Sequence, residues 1–248
     1  MVCTPGVIRE NANPGASVTQ VIGVDPNTLS SDGFTYSIVG GITQSMFSIN
    51  QTTGQITVRN PTLIDFEAQT THNIAVLAKG PTSTGVGSCL VTIQDDNDNR
   101  PQFTASSYNL VLYENLYPGQ RLLQVHADDA DSTLSGNNLV RYELVTSTDS
   151  PLFAVNSLTG VVTVPLGGLD NEAAKTLYTI TVTARDSGTP SLTASNDVTI
   201  ILSIQDRNDR FPIFGKALYQ GSVAENQQAG FSILRAVSYT HLTLPTKA

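Results

Sequence analysis

The chain has 248 residues, of which 40% are hydrophobic and 14% are charged, and its formal net charge is −8. This length allows about one to three domains, and the hydrophobic content is sufficient to build buried cores. Because nucleic-acid binding requires a basic surface, the acidic balance argues against that class of function and indicates cations or a solvated acidic surface.

Two long segments of the sequence resemble each other from end to end. The first contains RENANPGASV, FSINQTTGQITV, IDFEA and TIQDDNDNRPQF, and the second contains YENLYPGQRL, FAVNSLTGVVTV, LDNEA and SIQDRNDRFPIF in the same order. The period is about 105–111 residues, which is the size of a domain. A third copy begins with VAENQQAG at Val223–Gly230. We therefore predict repeat 1 at residues 1–99, repeat 2 at 100–210, the start of repeat 3 at 211–237 and a non-native tail at 238–248.

Within each copy, apolar and polar residues alternate with a period of two. Such runs occur at Cys89–Ile93, Val140–Leu144, Tyr178–Ala184 and Val198–Ile204, and they are typical of strands with one buried face. The breaks between them contain Gly, Pro, Asn, Asp and Ser, as in NSLTG and DSGTPS. The predicted fold is all-β, with tandem Greek-key β-sandwich repeats of the immunoglobulin-like kind.

Carboxylates are densest in the motif DDNDN at Asp95–Asn99. Calcium takes about six to eight oxygen ligands from carboxylates, amides and backbone carbonyls, and a short Asp/Asn run supplies all three kinds. A solvated turn is the alternative, but the motif recurs as DRNDR at Asp206–Arg210, in the same place of the next copy. The recurrence favours a cation site.

An EF-hand does not explain these motifs. An EF-hand loop has Gly at its sixth position and Glu at its twelfth. Counted from Asp95, these positions hold Arg100 and Ser106, and the segment that starts at Asp129 fails in the same way. Both segments also lie among predicted strands instead of helices.

Taken together, the motifs resemble those of the cadherin repeat. The pattern has xEN near the start of a repeat, LDxE in its middle, DxNDNxPxF at its end, and DxD and DxG in the following repeat. The resemblance covers roughly residues 5–235. It implies a fragment of an extracellular rod on the outer face of the plasma membrane. It also implies calcium between successive repeats and cell–cell adhesion, with another cadherin ectodomain as the partner.

The resemblance also assigns ligands to the first linker, in a row of three calcium ions. From repeat 1 and the linker it implies the side chains of Glu10, Asp65, Glu67, Asp95, Asn97 and Asp98, and the backbone carbonyls of Asp96 and Asn99. From repeat 2 it implies Asp129, Asp131, Asp186 and the carbonyl of Asn137. Ions would be bridged by Glu10, Glu67, Asp98 and Asp131.

The second linker is predicted to be incomplete. Its upper half would consist of Glu114, Asp170, Glu172, Asp206, Arg207, Asn208, Asp209 and Arg210. Arg210 stands where the family has Asn, but that position contributes a backbone carbonyl. The lower half is missing, because the chain continues as SYTHLTLPTKA and not with a strand that ends in Asp.

Repeat 1 departs from the family at its other end. DPN replaces DxD at Asp25–Asn27, and Lys79 stands where the family has Asp. An ammonium group there would oppose a calcium ion. Three explanations remain open: an outermost repeat, a preceding linker short of calcium, or a sequence error.

The two cysteines, Cys3 and Cys89, are too few for a disulfide scaffold and form no zinc motif. Cys89 is predicted to point inward. The first and last strands of a cadherin repeat are neighbours, so the resemblance allows a disulfide. A buried free thiol that acts as a small hydrophobe is the alternative.

The triplet NQT at Asn50–Thr52 is the single N-x-[ST] sequon and lies in a predicted turn. Such triplets also arise by chance. In an extracellular protein, Asn50 is a predicted glycosylation site.

Three other functions compete with homophilic adhesion. An enzyme with paired carboxylates is disfavoured, because metal-bound carboxylates are poor proton donors and the histidines have no nucleophile partner pattern. A soluble calcium buffer is disfavoured by the tandem layout. A heterophilic receptor or mechanical tether uses the same repeats and stays open. The sequence has no apolar run of about 18 residues and no signal-peptide core, so we interpret it as part of a longer, membrane-anchored protein.

Overall fold

The computed structural model describes residues 1–164, 169, 175–207 and 211–239. Repeat 1 contains eight strands: β1 (Val2–Cys3), β2 (Gly6–Arg9), β3 (Ser17–Ile22), β4 (Thr35–Ile38), β5 (Phe47–Ile49), β6 (Gln55–Val58), β7 (Thr71–Lys79) and β8 (Thr84–Gln94). A short helix, α1 (Thr43–Met46), precedes β5, and a 3-10 turn spans Pro61–Leu63.

Repeat 2 follows the same plan. Its strands are β9 (Gln102–Phe103), β10 (Ser107–Tyr113), β11 (Arg121–Gln124), β12 (Ala127–Asp128), β13 (Arg141–Leu144), β14 (Ala154–Val155), β15 (Val161–Thr163), β16 (Leu177–Arg185) and β17 (Val198–Gln205). A 3-10 turn spans Ser150–Leu152, and β18 (Ile213–Phe214) and β19 (Ser238–Tyr239) follow repeat 2.

Each repeat packs two layers of strands face to face. In repeat 1 the strand orders are β1-β3-β6-β5 and β2-β8-β7-β4, and in repeat 2 the larger sheet has the order β10-β17-β16-β13. The strands β11-β15-β14 and the pair β12-β9 form the opposing layer of repeat 2. The all-β sandwich predicted from the period-two alternation is confirmed.

The first long strand of each repeat pairs in parallel with the last one. β2 pairs with β8 so that Arg9 lies opposite Gln94, and β10 pairs with β17 so that Tyr113 lies opposite Gln205. In both cases the two strands end together at the same edge of the sheet. We call this edge, where Arg9 and Gln94 or Tyr113 and Gln205 end their strands, the lower end of the repeat. The parallel pairing determines which residues meet there.

The core lies between the sheets and consists of the inward residues of the alternating strands. In repeat 1 these include Ile56, Ile74 and Val91, and in repeat 2 Ile180 and Ile200, all fully buried. Full burial of one such side chain stabilises the fold by about 1.5–3 kcal/mol. The alternation therefore specifies which face of each strand is inside.

A disulfide joins the two sheets of repeat 1. Cys3 in β1 is bonded to Cys89 in β8, with 5.7 Å between their Cα atoms and a sequence separation of 86. Cys89 is fully buried, as the alternation of β8 predicts, and Cys3 packs against the same core. Of the two alternatives that the sequence left open, the structure has the disulfide.

The segment after repeat 2 forms one short antiparallel pair, in which Ile213 lies opposite Tyr239 and Phe214 opposite Ser238. Its large apolar residues are exposed, for example Phe211 at 86% and Phe214 at 61%. Two residues of the predicted tail thus take part in strand pairing, and its residues 240–248 lie outside the described ranges.

Candidate metal centre

The end of the β2–β8 pair brings Glu10 next to the linker. Glu10 directly follows β2 and Asp95 directly follows β8, and the backbone nitrogen of Glu10 donates to the carbonyl of Gln94 at 3.1 Å. Glu10 is only 2% exposed. Its two carboxylate oxygens accept hydrogen bonds of 2.8 Å from the backbone nitrogens of Asp96 and Phe66. These bonds hold a buried carboxylate at the lower end of repeat 1.

Repeat 2 presents three aspartates to the same place. Asp129 and Asp131 lie in the loop after β12, and Asp186 directly follows β16. Asp131 and Asp186 are each 3% exposed. The Oδ1 atom of Asp131 accepts hydrogen bonds from the backbone nitrogen of Asn99 at 3.1 Å and from its side-chain nitrogen at 2.9 Å. The end of the linker is therefore bound to the loop of the next repeat.

The middle of the linker contacts a second loop of repeat 2. Asn97 Nδ2 donates to Asp186 Oδ2 at 3.1 Å and to the carbonyl of Pro190 at 2.7 Å. A Cβ atom added to Gly188 would lie 2.1 Å from both Cγ and Oδ1 of Asn97. Asn97 can occupy this position only because residue 188 is a glycine and has no side chain.

Asp95 binds the loop that follows Asp131. Its Oδ1 accepts from the backbone nitrogen of Ser132 at 3.2 Å, and its Oδ2 accepts from Ser135 Oγ at 2.5 Å and from Asn137 Nδ2 at 2.7 Å. Asn137 thus reaches the junction through its side-chain amide, whereas the resemblance assigns its backbone carbonyl as a ligand.

The carboxylates form three overlapping groups. Their members, with one oxygen from each lying within 4.8 Å of the others, are Glu10–Glu67–Asp98, Glu67–Asp95–Asp131 and Asp129–Asp131–Asp186. Glu67 belongs to the first two groups and Asp131 to the last two. Shared carboxylates link the three groups into one series that runs from repeat 1 into repeat 2.

Two further predicted residues lie beside this series. Asp65 lines the same cavity, of about 350 Å³, as Glu10, Glu67 and Asp98, and its Oδ1 accepts a hydrogen bond from the backbone nitrogen of Ala68. The carboxylate of Asp96 makes an ion pair with Arg9.

Sequence reasoning missed three residues at the junction. Arg9 pairs with Asp96, Asn11 Nδ2 donates to Asp98 Oδ2 at 2.6 Å, and Arg100 Nη1 donates to the carbonyl of Thr193 at 2.9 Å. Asn11 belongs to the xEN motif, so the motif itself contained a signal for it. The two arginines carry no such signal, because their partners are distant in sequence.

Burial, together with the crowding of like charges, raises the pKa values of several carboxylates in the series. Desolvation, followed by the charges of Glu10, Asp98 and Asp131, raises the pKa of Glu67 to about 8. Desolvation and the charges of Asp131, Asp186 and Asp95 raise the pKa of Asp129 to about 6. Both values show carboxylates that resist ionisation when no cation is near.

Desolvation is also the first cause of the raised pKa values of Glu10 and Asp131, and hydrogen bonds from backbone nitrogens lower both in part.

Buried oxygen atoms without partners test whether a cation fits here. Among the described residues, Asn97 Oδ1, Asp129 Oδ2 and Asp131 Oδ2 are buried and accept no hydrogen bond. A buried polar atom without a partner costs about 1–3 kcal/mol. A hard cation that takes oxygen ligands removes this cost and neutralises the carboxylates. The residues present therefore fit calcium.

The second linker repeats part of this arrangement. Glu114 is 3% exposed, its backbone nitrogen donates to Gln205 at 3.0 Å, and its Oε1 accepts from the backbone nitrogen of Arg207 at 2.6 Å. Asp206 directly follows β17. The other predicted ligands of this linker, Asp170, Glu172, Asn208, Asp209 and Arg210, lie outside the described residues.

The opposite end of repeat 1 uses its aspartate for a turn. Asp25 Oδ1 accepts from the backbone nitrogens of Asn27 at 2.8 Å and Thr28 at 3.2 Å, and Asp25 Oδ2 accepts from Thr82 Oγ1 at 2.8 Å. The hydrogen bond from Thr82, followed by those from the turn, lowers the pKa of Asp25. Lys79, at the end of β7, is exposed. Protein donors therefore already supply hydrogen bonds to both carboxylate oxygens of Asp25.

Fold and site together define a protein of tandem β-sandwich repeats joined by a short acidic linker. A sequence profile of the cadherin domain matches residues 4–94 and 108–203. The chain therefore belongs to the cadherin family, whose members are generally calcium-dependent adhesion proteins.

Individual relatives are similar over most of this chain. Human protocadherin-23 is 33% identical over 209 residues, which are 84% of this chain and 6% of that protein. Human protocadherin gamma-B5 is 34% identical over 235 residues, 91% of this chain and 24% of that protein. Repeats EC21-23 of human CDH23 have a TM-score of 0.74 at 26% identity and cover 95% of this chain and 82% of that structure. The chain thus spans a small part of its full-length relatives.

Cadherin domains are adhesion modules, and the comparisons indicate no catalytic family. The ectodomains of the related cadherins are extracellular. Within the described parts of the chain, every helix is too short or too polar to cross a membrane.

Proposed function

We propose that the chain is a calcium-stiffened segment of an extracellular adhesion rod, with repeats at residues 1–99 and 100–210 and the start of a third at 211–237. The calcium ions would be held at the 95–99 linker. The parent protein would be anchored in the plasma membrane by a segment outside this chain and would mediate homophilic adhesion between cells.

One observation carries this proposal: carboxylates of both repeats form a continuous series across the junction. The groups Glu67–Asp95–Asp131 and Asp129–Asp131–Asp186 share a carboxylate, and the first of them joins residues of repeat 1 to residues of repeat 2. A cation held by ligands from both sides connects the repeats directly. A site within one repeat would not have this effect.

Electrostatics makes the connection depend on the cation. Two like charges about 4 Å apart repel each other by roughly 1–4 kcal/mol, depending on the local dielectric. The carboxylate oxygens of each group lie within 4.8 Å of one another. Without a cation this repulsion opposes a closed junction, and bound calcium supplies the neutralising charge. The linker hydrogen bonds of Asn97 and Asn99 then keep the two repeats in a fixed orientation.

Calcium titration by calorimetry tests the site. We expect the full chain to bind about three ions cooperatively, one for each group, and the Asp98→Ala variant to lose most of this binding. Asp32→Ala is the matched control, because Asp32 is exposed in a turn of repeat 1 and belongs to none of the three groups. If the wild-type chain bound no more calcium than Asp98→Ala at millimolar calcium, the proposal would be excluded.

Small-angle scattering tests the stiffening. The maximum dimension and the flexibility of the chain are expected to differ between calcium and chelator. Equal scattering in both conditions would show that the ions bind without bracing the junction.

A heterophilic receptor or mechanical tether is the second candidate, because the same calcium-stiffened repeats serve it equally well. Beads coated with the full ectodomain distinguish the two. Calcium-dependent clumping of one bead type supports homophilic adhesion, and clumping only with beads that carry another ectodomain supports the heterophilic function.

A further inference from the structure

The hairpin turn between β5 and β6 holds Asn50 in a defined conformation. Asn50 Oδ1 accepts hydrogen bonds from the backbone nitrogens of Thr52 at 2.9 Å and Thr53 at 3.0 Å. The backbone carbonyl of Asn50 accepts from Gly54 at 2.9 Å. This is an Asx turn, in which the side-chain oxygen substitutes for a backbone acceptor. The side-chain oxygen is thus fully used within the turn.

The side-chain nitrogen of Asn50 takes no part in the hydrogen bonds of the turn. No described residue accepts a hydrogen bond from it, and Asn50, Gln51 and Thr52 are all exposed. Thr52 supplies the hydroxyl of the N-x-[ST] triplet, and it is not bound to another described side chain. A large polar group on the nitrogen of Asn50 would therefore displace neither a core residue nor a hydrogen bond of the turn.

The turn and the carboxylate series lie at opposite ends of repeat 1. Gly54, with φ of +69°, packs so closely on β3 that an added Cβ would lie 2.2 Å from the carbonyl oxygen of Val21. Val21 is near the upper end of β3, opposite Cys3 of β1. The carboxylates follow the lower ends of β2 and β8. A group attached to Asn50 leaves the metal centre accessible.

We infer that Asn50 carries an N-linked glycan. This inference rests on the proposed extracellular location. Its Nδ2 would bond to C1 of a sugar donated by a lipid-pyrophosphate-linked oligosaccharide. The C1–oxygen bond to the pyrophosphate breaks, the amide gives up one proton, and the lipid pyrophosphate leaves with the electron pair. The glycan is bulky and hydrophilic. It covers the side of repeat 1 next to the β5–β6 turn and excludes that side from close contact with a partner.

Repeat 2 contains a matched control for this inference. Asn156 Oδ1 accepts hydrogen bonds of 3.0 Å from the backbone nitrogens of Leu158 and Thr159, in the same Asx turn. Leu158 occupies the position of the sequon hydroxyl and is 64% exposed. The two turns have the same shape, and only the first has the triplet. The Leu158→Thr variant would create a sequon without a change in the turn.

The experiment is expression of the full chain behind a secretion signal in mammalian cells, with the mass of the secreted protein measured before and after removal of N-glycans by an amidase. A second, unrelated sequon appended after residue 248 reports that each molecule has met the transferase. Wild type and Thr52→Ser are expected to carry one glycan besides the reporter, Thr52→Ala none, and Leu158→Thr two.

A secreted wild-type chain with only the reporter glycan would overturn the inference. The same holds if Thr52→Ala keeps the mass of the wild type. Calcium titration of the unglycosylated chain made in bacteria is independent of this outcome. Failure of the glycan at Asn50 and failure of the calcium site are therefore distinguishable.

Discussion

Gly188 controls the fit of the linker against repeat 2, so its replacement by alanine perturbs the junction without removing any carboxylate. The new Cβ would stand 2.1 Å from Asn97 Oδ1 and 2.5 Å from Asn97 Nδ2, where no real contact is possible. Asn97 must move, and it then loses its hydrogen bonds to Asp186 and to the carbonyl of Pro190.

The size of the effect follows from these two bonds. A hydrogen bond to a charged group contributes about 1.5–3 kcal/mol and a neutral one about 0.5–1.5 kcal/mol. Asn97 is half-buried, and water replaces part of what is lost. We expect a net cost of about 2 kcal/mol, which corresponds to an affinity for calcium reduced by about 30-fold.

Calorimetric calcium titration of Gly188→Ala measures this change, with thermal unfolding as a check that both repeats remain folded. Gly85→Ala is the matched control, because an added Cβ at position 85 meets no atom within 4 Å. The double variant of Gly188→Ala with Asn97→Ala should bind no more weakly than Asn97→Ala alone, since both changes act through the same side chain. Wild-type affinity in Gly188→Ala would refute the role of Asn97 at the junction.

Three other predictions concern stability. Replacing both Cys3 and Cys89 by serine should lower the free energy of unfolding of repeat 1 by about 2–5 kcal/mol; denaturant unfolding without reductant measures it, and an unchanged midpoint would contradict the disulfide. In chelator, the raised pKa values of Glu67 (about 8) and Asp129 (about 6) should make the chain more stable as the pH falls from 8 to 5, because the folded form binds protons at these carboxylates more tightly than the unfolded form. With saturating calcium the melting temperature should instead decrease over the same range, because protons displace the ion. The same trend in both conditions would argue against carboxylates that bind either protons or calcium. Tyr36→Phe should cost about 1 kcal/mol, because the backbone nitrogen that donates to its hydroxyl at 2.8 Å loses its partner; a melting temperature equal to that of the wild type would show that water substitutes for the hydroxyl.

Local patterns in the sequence determined the fold class and the position of the carboxylates. The period-two alternation predicts strands with one buried face, and residues such as Cys89, Val91 and Ile93 are buried as it requires. The repeated motifs place Glu10, Asp95 and Asp131 at the ends of strands or in loops. These features depend on neighbours in sequence or on recurrence of a motif, and both are visible in a single chain.

The tertiary structure decided the pairings between distant residues. Cys3 contacts Cys89, at a sequence separation of 86, only because β1 and β8 lie in facing sheets. Whether Asp25 binds a cation or a hydroxyl depends on Thr82, which the fold brings within 2.8 Å. Asn97 fits the junction because position 188 has no side chain. Such contacts depend on the path of the backbone through space, and the spacing of residues along the sequence does not contain that information.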